Sequence, residues 1–124
     1  MNQITTKSDS SVDIIRDRLV EDIFNLEIKL NSPVVQDKLL KNAKTKDEKI
    51  DIIESVLDLS MVRRKLENAM LETIAKRLKR LEPQIQEGID SLNDAIDNLE
   101  NSTNILSLIN SLTGLIARVI TLAI

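Results

Sequence analysis

The chain has 124 residues, of which 42% are hydrophobic and 30% charged, and a net charge of −3; this is one domain's length with enough apolar residues for a modest core. It contains neither cysteine nor histidine, which excludes disulfides, thiolate metal sites, thiol nucleophiles and histidine-based catalytic triads. Phe24 is the sole aromatic residue, and two glycines and two prolines leave few places for tight turns, so the composition predicts long helices rather than a sandwich or barrel.

Residues 1–9 are polar and read as a flexible tail. They lack the basic region and apolar run of an export signal, so a cytoplasmic location is expected. A first helix is predicted over 10–31. Ser10 and Asp13 stand at capping-box spacing, and Val12, Ile15, Leu19, Ile23, Leu26 and Leu30 recur at three- and four-residue steps that gather them on one face. Phe24 lies beside that face. Ser32 and Pro33 suit the N-cap and first position of a short helix over 33–43, whose apolar side is Val34, Val35, Leu39 and Leu40.

Thr45 and Glu48 form a second capping box. It opens the longest predicted element, 46–81, which would be about 54 Å if unbroken. Its apolar stripe begins with Ile50, Ile53 and Leu57, then shifts to Val62, Leu66, Met70, Ile74, Leu78 and Leu81. The shift requires either a kink near Ser60 or two different partners along one helix. Pro83 disfavours a helical Glu82 and predicts a boundary there. The next helix, 84–99, carries Ile85, Ile89, Leu92, Ile96 and Leu99 at heptad steps.

The last element spans 104–124 after a break at Asn101-Ser102-Thr103. Ile105, Leu108, Ile109, Leu112, Leu115, Ile116, Val119, Ile120 and Ala123 make most of its circumference aliphatic. Asn104, Ser107, Ser111, Gly114, Arg118 and Thr121 form one narrow stripe of mostly small residues. At about 32 Å the segment matches the hydrocarbon thickness of a bilayer. Against insertion stand Arg118, the acidic preceding flank and the lack of Trp or Tyr for an interfacial belt. Three readings stay open: a buried bundle helix or oligomer interface, a reversibly inserting or pore-forming helix, and a surface for another protein.

Charge is unevenly spread. Between Asp37 and Arg80, twelve Lys/Arg face eight Asp/Glu, whereas Glu82–Glu100 holds six acids and no base. Arg63, Arg64 and Lys65, with Lys76, Arg77, Lys79 and Arg80, form two basic clusters suited to an anionic partner. Their residues point several ways around a helix, and no stacking aromatic accompanies them, so nucleic acid is disfavoured; a solvated or salt-bridged face is the favoured explanation, with anionic lipid headgroups or the acidic Glu82–Glu100 helix as the alternative partners. The acids Asp90, Asp94 and Asp97 stand at helical neighbour spacing without the loop pattern of a calcium site. No glycine-rich phosphate loop exists. No cofactor, metal or small-molecule substrate is therefore expected, and no enzyme.

The expected fold is all-α: an elongated bundle of about five helices in one domain, 10–124, with one long central helix and an aliphatic C-terminal helix. The expected function is a non-catalytic assembly or scaffold protein. It would form a homo-oligomer, or bind a helical partner, through Ile85, Ile89, Leu92, Ile96 and Leu99 and the aliphatic residues of 105–120. The alternative is a membrane-active protein with the same terminal helix inserted.

Overall fold

In the computed structural model, residues 3–98 and 100–121 are described, with side chains from residue 11 onward. The chain forms five helices and, among the described residues, no strand: α1 (Gln3–Leu30), α2 (Pro33–Asn42), α3 (Lys46–Asn68), α4 (Leu71–Asp97) and α5 (Ser102–Ile120). The all-α bundle is as expected, but several boundaries move. Leu99 and residues 122–124 lie outside the described residues.

Helix α1 starts at Gln3 rather than Ser10, so the helix already runs through the proposed Ser10 cap. Of the α1 core series, Val12, Leu19, Ile23, Leu26 and Leu30 are buried and Ile15 is partly buried against the same core. Two later caps also form as the sequence dictates. Ser32 Oγ accepts from the Val35 N–H and Thr45 Oγ1 from the Glu48 N–H, with Pro33 in the first turn of α2. Glu48 Oε2 accepts from the Lys44 N–H at 2.6 Å, one residue further back than a standard capping box. In α2, Val35 and Leu39 are buried while Val34 is 70% exposed.

The single long helix is replaced by two. Helix α3 passes straight through Ser60 and stops at Asn68; Ala69 and Met70 are extended, with ψ of 146° and 123°. Met70, expected on the core stripe, is 65% exposed. No proline or glycine marks this break. Its cause is tertiary: α3 and α4 each pack mainly against α1 and α5, so the chain must step diagonally across the bundle between them. Arg16 reaches from α1 to the step and donates to the Ala69 carbonyl at 2.9 Å.

The boundary expected at Pro83 is absent, because α4 continues through it. Pro83 is exposed, which leaves the carbonyl of Lys79 that loses its donor beside water. The buried series Leu78, Leu81, Ile85, Ile89 and Leu92 runs through the site unbroken. At roughly 1.5–3 kcal/mol per buried side chain it outweighs the ~3 kcal/mol a helical proline costs. The longest helices are thus α1 and α4, with 28 and 27 residues, and no one helix is central. Before α5, Asn101 Oδ1 caps the Asn104 N–H at 2.8 Å.

Cross-helix contacts fix the directions. Arg18 pairs with Glu82, and Lys29 with Asn93 and Asp97, so α1 and α4 run parallel. Arg16 meets Ala69 while Glu27 meets Arg63, so α1 and α3 are antiparallel. Arg77 donates to the Val119 carbonyl, and Gly88 lies against Leu112, so α4 and α5 are antiparallel. Going round the bundle the order is α1, α4, α5, α3. The core runs down the middle, filled almost entirely by Leu, Ile and Val.

Candidate interaction surface

The residues expected to mediate assembly on α4 and α5 point inward. Ile85, Ile89, Leu92 and Ile96 are at most 5% exposed, and Ile105, Ile109, Leu112, Ile116 and Val119 at most 1%. Leu108, Leu115 and Ile120 are partly buried against the same core. This chain's own helices therefore cover most of the aliphatic surface that was expected to need a partner. The small polar stripe Ser107, Ser111, Gly114, Arg118 and Thr121 is the solvent face of α5. Gly114 has open space around it; the close helix approach is at Gly88 instead, where an added Cβ would meet Leu112 Cδ1 at 3.4 Å.

The two basic clusters are also separated. Arg64 and Lys65 are exposed on α3, and Lys76, Lys79 and Arg80 on α4. Since α3 and α4 occupy diagonal corners, their outer surfaces face opposite ways. The remaining two members are used structurally. Arg77 Nε caps the C-terminal turn of α5 through the Val119 carbonyl at 2.8 Å. Arg63 is buried in a two-point pair with Glu27, with Glu67 at 3.4 Å and its guanidinium 5.0 Å from the centroid of the Phe24 ring.

What the structure does leave bare lies elsewhere. Among the described residues, the exposed large apolar side chains are Ile14, Phe24 and Ile28 on α1, Val34 on α2, Ile50, Ile53, Leu57 and Met61 on α3, and Met70 between α3 and α4. Helices α4 and α5 contribute none. Most of the exposed apolar side chains thus lie on α1 and α3, with Ile28 at the groove between α1 and α4.

Helix α3 explains this division. It carries two apolar series. Ile52, Val56, Leu59 and Leu66 face the core, with Ser55 and Arg63 interleaved. Ile50, Ile53, Leu57 and Met61, at steps of three, four and four, lie on the opposite face and are 41–58% exposed. The expectation that Ile50, Ile53 and Leu57 open the core stripe is corrected: they are the outward series. The signal that separates the two was present as the pairing of Ile52 with Val56 and Leu59, one helix apolar on both sides.

Two open grooves flank α1. One, of about 370 Å³ between α1 and α3, is lined by Asp17, Val20, Glu21, Phe24, Arg63 and Glu67. The other, of about 530 Å³ between α1 and α4, is mixed in character, with Leu26, Ile28 and Ile89 beside Asp22, Asn25, Gln86, Asp90 and Asn93 on its walls. Asp90, Asp94 and Asp97 are exposed on α4. Asp97 is engaged by Lys29 and Asp90 by Gln86, and no three acids in the described residues converge on a metal-sized site. No family model, no curated protein and no solved structure matches this chain.

Proposed function

We propose that this chain is a non-catalytic helical assembly protein whose docking side is the α1–α3 side rather than the C-terminal helix. The observation that carries the reading is the confinement of the exposed large apolar side chains, among the described residues, to α1, α2, α3 and the α3–α4 step. A patch of that kind on a small bundle is where a helical partner gains most by docking. The chemistry of the chain agrees with a binding role, since it has no histidine or cysteine to act as nucleophile or general base. The test is site-specific photo-crosslinking in the cells that make the protein. A photoreactive residue at Leu57 should give protein adducts, and one at exposed Gln84 on α4 should not. Equal or absent adducts at both positions would remove the reading.

A second reading rests on α5, which by length and composition is sufficient to cross a bilayer. Insertion would require α5 to leave the bundle and turn its aliphatic face to lipid. An engineered disulfide tests this directly, because a Cβ at Gly88 would sit 4.0 Å from Leu112 Cβ, within the disulfide range. Leakage of anionic-lipid vesicles by the reduced Gly88→Cys/Leu112→Cys protein, lost on oxidation, would support insertion. Leakage indifferent to the disulfide would end it.

A further inference from the structure

Resting on the α1–α3 docking side proposed above, we infer that its occupant is a second copy of this chain, packed antiparallel about a twofold axis, so that α1 and α3 of one molecule cover α1 and α3 of the other.

The α1–α3 face has a definite layout. Along the edge of α3 that turns toward α1, residues follow steps of three and four: Lys46, Lys49, Ile53, Leu57, Ser60, Arg64 and Glu67. On α1, Phe24 stands level with Arg63, whereas Ile28, one turn further on, lines the α1–α4 groove. The middle of the face is therefore apolar, with Ile53 and Leu57 from α3 and Phe24 from α1, 46–58% exposed. Ile50 and Met61 widen it on the far edge of α3. One end carries three exposed acids, Asp17, Glu21 and Glu67, along the α1–α3 groove. Arg16 pairs with Asp17 and Arg63 with Glu67, Arg64 is the one exposed base on that end of the α3 edge, and acids still outnumber exposed bases there. The other end holds Lys46 and Lys49, both exposed and, among the described residues, in no ion pair.

An apolar centre between an acidic end and a basic end is complementary to itself when turned end for end. A parallel twofold would set Lys49 beside its own counterpart and the acidic groove against an acidic groove. The antiparallel twofold sets Lys46 and Lys49 of each copy toward Glu67 and the acidic groove of the other. The uncovered side chains are few for a permanent interface, so the dimer belongs to the small, reversible class, with a dissociation constant on the order of micromolar.

The natural absence of cysteine makes the arrangement directly measurable. Light scattering coupled to size exclusion on the full chain should give twice the chain mass at high concentration and the chain mass on dilution. Leu57→Asp, at a position already 58% exposed, should weaken dimerisation by at least about 100-fold and leave the circular dichroism spectrum unchanged. For orientation, Lys49→Cys and Glu67→Cys should each give little disulfide-linked dimer alone and abundant dimer when mixed. A chain-mass species at every concentration up to ~1 mM, the weak limit of useful affinity, overturns the inference, as does a dimer that survives Leu57→Asp. Efficient linkage of Lys49→Cys to itself overturns the antiparallel packing. With a monomer in hand, photo-adducts at Leu57 of a mass other than twice the chain would leave the docking side standing with a different occupant.

Discussion

The pair Glu27–Arg63 makes the sharpest demand on the energetics of this bundle. Both side chains are nearly out of water, with exposures of 7% and 11%. The guanidinium meets both carboxylate oxygens, through Nε to Oε2 and Nη2 to Oε1. Replacing Glu27 with Ala strands a guanidinium between α1 and α3. Removing one partner of a buried pair costs about 3–5 kcal/mol. Glu67, 3.4 Å away and 56% exposed, and the Phe24 ring still receive the charge in part, so the loss is placed at the lower end, about 3 kcal/mol. That is a large fraction of the ~5–15 kcal/mol that holds a domain folded. Removing both charges is different. Glu27→Leu with Arg63→Met keeps the volume and discards two desolvation penalties, so the double variant should lie within about 1 kcal/mol of the wild type or above it.

The assay is urea unfolding followed by far-UV circular dichroism, since the chain has no Trp or Tyr to report by fluorescence. The wild type, both single variants and the double variant close a mutant cycle, and the midpoints give the coupling. A loss below about 1 kcal/mol for Glu27→Ala would mean that the pair behaves as a solvated surface bridge. A double variant as unstable as the two singles added together would mean that each side chain has a packing role of its own. Either result refutes the reasoning.

Other substitutions should sort by face in the same assay. Leu112→Asp buries a carboxylate at a position with 0% exposure and should unfold the chain outright, in contrast to Leu57→Asp. Gly114→Ala should stabilise by up to about 1 kcal/mol, because the residue is helical with open space around it; a loss of stability there would show a contact the structure lacks. Thr45→Ala removes the oxygen that caps the Glu48 N–H and should cost about 1 kcal/mol. Arg16→Ala leaves the Ala69 carbonyl without its donor and should cost about 1–3 kcal/mol; an unchanged midpoint would mean that the α3–α4 step does not depend on it.

Much of the bundle is legible in the chain because local and global preferences agree there. The α1 core series has one apolar stripe, and each of its members at Leu19, Ile23, Leu26 and Leu30 is at most 2% exposed. Ser32-Pro33 and Thr45 stop and start helices through oxygens and a fixed φ that act within a few residues. Two boundaries resist such reading because distant contacts decide them. At Asn68–Met70 nothing in the sequence interrupts a helix, and the break follows from where α4 must lie. At Pro83 the sequence does interrupt, and the burial of Leu81 and Ile85 on either side overrides it.

The misplaced surface has a related origin. Periodicity reports how many apolar faces a helix has, not which of them meets its own chain. In α5 the aliphatic residues outnumber the polar ones so far that composition alone predicts a partner, yet α3 and α4 supply the cover, and the narrow stripe of Ser107, Ser111 and Arg118 is the wet side. In α3 two apolar series compete for one core. The series Ile52, Val56, Leu59 and Leu66 continues to the end of the helix. The series Ile50, Ile53, Leu57 and Met61 meets Arg64 and Asn68 beyond Met61. Only the first can fill a core over the helix's full length, about 35 Å for 23 residues. The second stays outside, too short to hold the bundle together.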